Sequence, residues 1–168
     1  MSKNIKYKVI DNFLEKEEFA RLQTFLMSWD FPWYYQAIIN GDHDMEDLDC
    51  YFTHGLYDVE LGVGYSSFFN IVKPLLNIIK PKALIRIKCN NYPRTEKVRV
   101  HKPHCDYSYT HKGALFYINT CDGGTILENG KKIDSVENRI LFFEADKPHS
   151  STSTSNAKSR ININFNYF

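Results

Sequence analysis

The stretch Ser159-Arg160-Ile161-Asn162-Ile163-Asn164-Phe165-Asn166-Tyr167-Phe168 alternates polar and apolar residues with a period of two, the spacing at which neighbouring side chains of an extended strand fall on opposite faces. Arg160, Asn162, Asn164 and Asn166 therefore share one face, opposite Ile161, Ile163, Phe165 and Tyr167. Two environments suit such a strand. Either the polar face meets water, or Arg160 points inward and each asparagine beside it needs hydrogen-bond partners. The same period marks Ala83 to Lys88, Lys97 to His101, Ala114 to Asn119, Thr125 to Leu127 and Arg139 to Phe143, with turn signals at Asp122-Gly123-Gly124 and Asn129-Gly130. Many short strands without long helices between them predict an antiparallel sandwich or jelly roll rather than a βαβ domain.

Before residue 82 the pattern differs. Phe19, Leu22, Phe25 and Leu26 recur at helical spacing behind Glu15, Glu17 and Glu18, predicting a helix over 16 to 28 whose early acids suit its positive end. Phe69, Val72, Leu76 and Ile79 suggest a second helix capped at Ser66 or Ser67, kinked or divided by Pro74 and stopped near Pro81. The expectation is a mainly β, α+β chain: one domain over 1-168, with 1-81 a helical and irregular support and 82-168 the jelly-roll core. Its 168 residues, 43% hydrophobic and 15% aromatic, argue against a disordered segment. A formal charge of +1 gives no global push toward nucleic acid. Cys50, Cys89, Cys105 and Cys121 form no CxxC pair, and no run of eighteen apolar residues occurs. A soluble, cytoplasmic protein without membrane or nucleic-acid partners is the default.

The sharpest chemical signal is His104-Cys105-Asp106. On extended backbone His104 and Asp106 project together while Cys105 points away. An imidazole and a carboxylate are two thirds of the 2-His-1-carboxylate set that holds non-haem Fe(II) with positions left open. His149, following Ile140-Leu141-Phe142-Phe143 and a short loop, is the candidate third ligand. Eleven residues further on, Arg160 offers a guanidinium able to clamp a carboxylate with two parallel hydrogen bonds. Its alternative is a solvated strand residue.

Together these features make the segment from Tyr92 to Phe168 similar to the catalytic core of the 2-oxoglutarate and Fe(II)-dependent dioxygenases, in particular the compact prolyl 4-hydroxylase-like branch. Tyr117-Ile118-Asn119, Gly123-Gly124-Thr125 and Pro148-His149-Ser150 add to the resemblance. It implies a double-stranded β-helix, His104, Asp106 and His149 as Fe(II) ligands, Arg160 on the distal carboxylate of 2-oxoglutarate, and O2 as the second cosubstrate. Tyr92 matches the family's tyrosine ahead of the HxD motif, with Thr125 another candidate cosubstrate contact and Asn162 a supporting group. The glycine usual a few residues after that tyrosine is replaced by Tyr92-Pro93-Arg94-Thr95. The intact Asp106 favours hydroxylation over halogenation.

The substrate classes implied are peptidyl proline or another peptide side chain, and a free amino acid or other small metabolite. A cupin-like metalloenzyme or a non-enzymatic jelly-roll protein would share the barrel without needing Arg160 for 2-oxoglutarate. Asp42 through Glu60 carries seven acids and no Lys or Arg, whereas Lys80 through Lys102 carries eight bases against Glu96. That polarity could steer a charged substrate, or merely mark two solvated or mutually facing surfaces. Trp29, Phe31, Trp33, Tyr34 and Tyr35 are readable as a substrate lip or as a seal between helix and sheet. His43, His54, His101 and His111 are further metal-capable residues, with His101 out of register with His104.

Overall fold

The computed structural model describes residues 6–37, 39, 50–61 and 66–168. Among the described residues, ten strands form two antiparallel sheets: β1 (Tyr7–Ile10), β2 (Tyr34–Gln36), β3 (Tyr51–Asp58), β4 (Leu84–Pro93), β5 (Lys112–Tyr117), β6 (Gly124–Leu127), β7 (Lys132–Asp134), β8 (Arg139–Glu144), β9 (His149–Ser151) and β10 (Ser159–Tyr167). The larger sheet runs β1-β8-β5-β10-β4-β3-β2 and the smaller β7-β6-β9. Strand β10 lies inside the large sheet, with β4 on one side and β5 on the other. Its alternation therefore reports two buried environments rather than one buried and one wet.

The apolar side of β10 is the helix side. Ile161, Ile163 and Phe165 join Ile87, Cys89, Ala114, Phe116 and Ile140 beneath Phe19, Leu22 and Leu26 of α1 (Lys16–Leu26) and Leu75 of α2 (Lys73–Ile79). On the opposite side, Leu115, Tyr117, Leu141 and Phe143 pack against Leu127 and Ile133 of the small sheet. Both faces of the large sheet are thus covered, one by the helices and the other by the small sheet.

Several boundaries differ from the sequence expectation. Helix α1 stops at Leu26, where the Ser28 hydroxyl donates to the Phe25 carbonyl. Pro74 sits in the first turn of α2, where its missing N–H costs no helical hydrogen bond, after a separate 3-10 turn at Phe69–Val72. Lys80 closes α2 in the left-handed conformation, φ 51°, ahead of Pro81. The segment expected to be helical and irregular support also supplies β1, β2 and β3 to the large sheet. Strand β3 showed no period because Tyr51-Phe52-Thr53-His54-Gly55-Leu56-Tyr57-Asp58 is covered on both faces and shifts register between Gly55 and Tyr57. Conversely, Lys97 to His101 makes no strand. Val100 forms a lone bridge to Thr152, and the Arg99 amide donates to the Ser153 hydroxyl instead of a ladder partner.

Candidate metal centre and its cavity

His104 and His149 meet across an isolated antiparallel bridge. Each backbone amide donates to the other's carbonyl, at 3.0 and 2.9 Å, which sets the two imidazoles 4.4 Å apart. The Asp106 amide donates to the Ala145 carbonyl, so the HxD segment is tied to the β8–β9 loop rather than lying in a regular strand. The alternation nonetheless holds, since Cys105 is exposed while the Asp106 side chain is buried. One ligand atom from each of His104, Asp106 and His149 lies within 4.8 Å of the others. The two Nε2 atoms stand 4.0 and 3.9 Å from the two Asp106 oxygens.

The electrostatics suit cation binding. Burial, helped by the neighbouring His149, lowers the His104 pKa to about 4, so its imidazole is neutral at physiological pH. Burial alone would raise Asp106, but His149, Arg86, Asn164 and His104 together hold it below the usual carboxylate range. His149 Nδ1 donates to the Lys147 carbonyl at 3.0 Å, which leaves the Nε2 lone pair free on the Asp106 side. Two imidazoles and one carboxylate fit a divalent transition metal with positions to spare.

At the other end of the cavity lies Arg160, fully buried. Its Nε donates to the Thr152 carbonyl at 2.8 Å, and its guanidinium sits over the Tyr92 ring at 4.5 Å. Both terminal nitrogens have no partner among the described residues. An unpaired buried guanidinium fork costs several kcal/mol, on the order of 3 to 5, and an anion with two oxygens would offset it, the geometry a carboxylate provides. The backbone is shaped for this arginine: a Cβ on Gly123 would lie 2.3 Å from the Ser153 carbonyl oxygen and 2.7 Å from Arg160 Cδ.

The remaining sequence candidates divide. Tyr92 lies against Arg160, stacked between Tyr51 and His101 at ring distances of 5.3 Å. Thr125 accepts from the Tyr117 hydroxyl at 2.9 Å. Asn162 accepts from Asn90 at 3.0 Å. The inward asparagines are satisfied in series: His111 Nε2 contacts Asn166 Oδ1 at 2.9 Å, Asn166 donates to Asn164, and Asn164 donates to Asp106 at 3.2 Å. His54 spans the Pro32 carbonyl and the Ser66 hydroxyl, away from the triad. His43 lies outside the described residues, as do Asp42, Asp44, Glu46, Asp47 and Asp49 of the acidic run. Of the aromatic cluster, Phe31 is buried whereas Trp29, Tyr34 and Tyr35 are exposed.

Sequence reading assigned no site role to Arg86, Lys88, Tyr117 or Asn164. Arg86, Lys88, Asn90 and Tyr92 occupy alternate positions of β4, opposite Asn166, Asn164, Asn162 and Arg160 of β10. Arg86 and Lys88 were visible only as part of the strand Ala83 to Lys88 and of a basic run, although the intervening buried Ile85, Ile87 and Cys89 carried the signal that they share the opposite face. Arg86 donates to Asp106 at 3.0 Å and rests on the Tyr107 ring.

No family model and no curated protein matches the chain. Solved structures do. A prolyl hydroxylase from Trichoplax adhaerens, in complex with a hypoxia inducible factor oxygen degradation domain peptide fragment, is 18% identical with a TM-score of 0.64, covering 98% of this chain and 84% of its own. HygX from Streptomyces hygroscopicus, with nickel and 2-oxoglutarate bound, is 10% identical with a TM-score of 0.62, covering 97% and 82%. A prolyl-4-hydroxylase from Pseudomonas putida is 12% identical with a TM-score of 0.58, covering 98% and 92%. The mainly β chain thus has the fold of the prolyl hydroxylases and other 2-oxoglutarate and Fe(II) oxygenases.

Proposed function

We propose that this protein is a 2-oxoglutarate- and Fe(II)-dependent dioxygenase that hydroxylates a prime substrate. The observation that carries the reading is the pairing of the His104, Asp106 and His149 cluster with a fully buried Arg160, whose two terminal nitrogens have no partner among the described residues, along the same polar face of β10 that holds Asn164 against Asp106. On this reading residues 1-168 form one double-stranded β-helix domain, and the unpaired cysteines suit a reducing cytoplasmic setting. No helix among the described residues is long and apolar enough to cross a membrane.

His104, Asp106 and His149 would hold Fe(II), and Arg160 the distal carboxylate of 2-oxoglutarate. Bound there, the iron and cosubstrate supply O2 activation coupled to decarboxylation of 2-oxoglutarate to succinate and carbon dioxide, the source of the oxidising power for a substrate C–H bond. The chain's own residues do the positioning. Lys147 fixes the His149 tautomer, and Asn164 and Arg86 orient Asp106. Phe143 packs edge-on against His149 at 4.9 Å and keeps water from that side. Tyr92 and Thr152 set the direction of the Arg160 fork, Thr125 holds the Tyr117 hydroxyl, and Asn162 braces the sheet next to Arg160.

Peptidyl proline is one substrate class, supported by the prolyl hydroxylases among the structural neighbours. A free amino acid or other small metabolite is the second, favoured by Arg86 and Lys88 on the cavity wall. Calorimetric titration of Zn(II)-loaded protein with 2-oxoglutarate tests the shared core of both. Binding that weakens at least about 100-fold in Arg160→Met, the loss of a bidentate charged contact, is the expected result. Folded, metal-loaded protein that ignores 2-oxoglutarate would overturn the proposal.

A further inference from the structure

Resting on that reading, we infer that the prime substrate is a small carboxylate, whose anionic group is received by Lys88. Strand β4 turns Arg86 and Lys88 toward the cavity on the same face as Tyr92, and Gly55 of β3 stands directly across from Lys88, presenting no side chain there. The ammonium of Lys88 lies 5.7 Å from the centre of the Tyr51 ring, which is itself stacked on Tyr92. Lys88 thus sits against aromatic rings and within electrostatic reach of Asp106 and His104 of the metal cluster.

The balance of charge decides what that space accepts. A divalent metal, Asp106, Arg160 and the two carboxylates of 2-oxoglutarate together carry no net charge, so Arg86 and Lys88 stand as excess positive charge on the substrate side. Arg86 is already committed, donating to Asp106 at 3.0 Å and covering Tyr107. The charged groups acting on Lys88 are Arg86, which repels it, and Asp106, which Arg86 and Asn164 already engage. Burial, reinforced by Arg86, lowers the Lys88 pKa to about 8, a value at which the ammonium is still mostly charged at neutral pH. A half-buried ammonium whose partner is an aromatic face is poised for an anion. Its position beside Asp106 and His104 would bring a C–H bond near the carboxylate to the reacting site. A neutral peptidyl proline would leave Lys88 unpaired.

The test uses Mn(II)-loaded protein saturated with 2-oxoglutarate in the absence of O2. Each free L-amino acid is compared with its primary amide, and binding is read as paramagnetic broadening of the probe's proton NMR lines. We expect at least one amino acid to bind at least about tenfold more tightly than its amide, a difference of one charge contact. That preference should vanish in Lys88→Met and return in Lys88→Arg, with 2-oxoglutarate affinity within about twofold of wild type in both, which also shows that the variants fold. Three results would overturn the inference: no carboxylate preference in any pair, a preference that survives in Lys88→Met, or a tenfold loss of 2-oxoglutarate affinity in that variant, which would assign Lys88 to the cosubstrate. Failure of wild-type protein to bind 2-oxoglutarate at all would instead count against the dioxygenase reading itself.

Discussion

Arg160 has the largest side chain among those with no solvent exposure, and a cation in that position is costly unless something answers it. The apoprotein therefore carries a strain that ligand binding relieves. Arg160→Met should leave the apoprotein as stable as wild type or more so, because a buried unpaired charge is replaced by a chain of similar volume. In the same variant the rise in melting temperature caused by 2-oxoglutarate should disappear, and differential scanning fluorimetry with and without the cosubstrate reads both effects. Gly123→Ala should damage the same site from behind. Its methyl would meet the Ser153 carbonyl, which is backbone and cannot step aside, so a loss of about 2 kcal/mol in stability should accompany weaker 2-oxoglutarate binding, measured by denaturant titration and calorimetry. That Arg160 shares a face with three asparagines was legible from the alternation of β10. The need for glycine at 123 was not, because the contact is made with residues about thirty positions away that only the fold brings close.

The turns and helices that hold the cavity have their own signatures. Asp122 accepts hydrogen bonds from the Ser155 hydroxyl and amide and from the Thr154 hydroxyl, fixing the loop that leads into β10. Burial opposes ionisation there, yet these bonds prevail and lower the Asp122 pKa to about 2. A carboxylate with a depressed folded-state pKa contributes stability that is complete above its ordinary value near 3.8 and is lost as pH falls toward 2. Asp122→Asn should therefore unfold more easily than wild type at pH 7, with the gap closing between about pH 4 and pH 2, as paired denaturation curves would show. On the helix side, Leu26→Ala removes a fully buried anchor of α1 and should cost about 2–5 kcal/mol. Helix α1 and strands β4, β5, β6, β8 and β10 announced themselves by period. Strands β2 and β3 did not, since β3 is covered on both faces and bulged and β2 is only three residues long, and β1 is four. The stretch Lys97 to His101 had the right alternation but pairs with its neighbour through a single bridge, because the Arg99 amide turns to the Ser153 hydroxyl and the ladder goes no further, so period alone misled there.

Across the whole molecule the large sheet separates two chemistries: an apolar interior beneath the helices, and an opposite face on which the apolar cluster of β5 and β8 adjoins the buried polar row of β4 and β10. That division was readable wherever strands alternate cleanly, and the triad was readable because its spacing encodes one bridge and one loop. What eluded sequence reading was the meaning of the charges on β4, where a basic run proved to be half surface and half cavity wall. If metal and 2-oxoglutarate bind the folded state as proposed, saturating both at about one hundred times their dissociation constants should stabilise the protein by about 2.7 kcal/mol for each site. The central claim, that the histidine–aspartate cluster and Arg160 form one metal and cosubstrate site, is tested most directly by anaerobic titration of metal-free protein with Fe(II) and 2-oxoglutarate, followed by visible absorption. A metal-to-ligand charge-transfer band should grow in wild type, be absent in His104→Ala, and require far more 2-oxoglutarate in Arg160→Met. Folded wild-type protein that binds Fe(II) yet shows no such band would contradict the account.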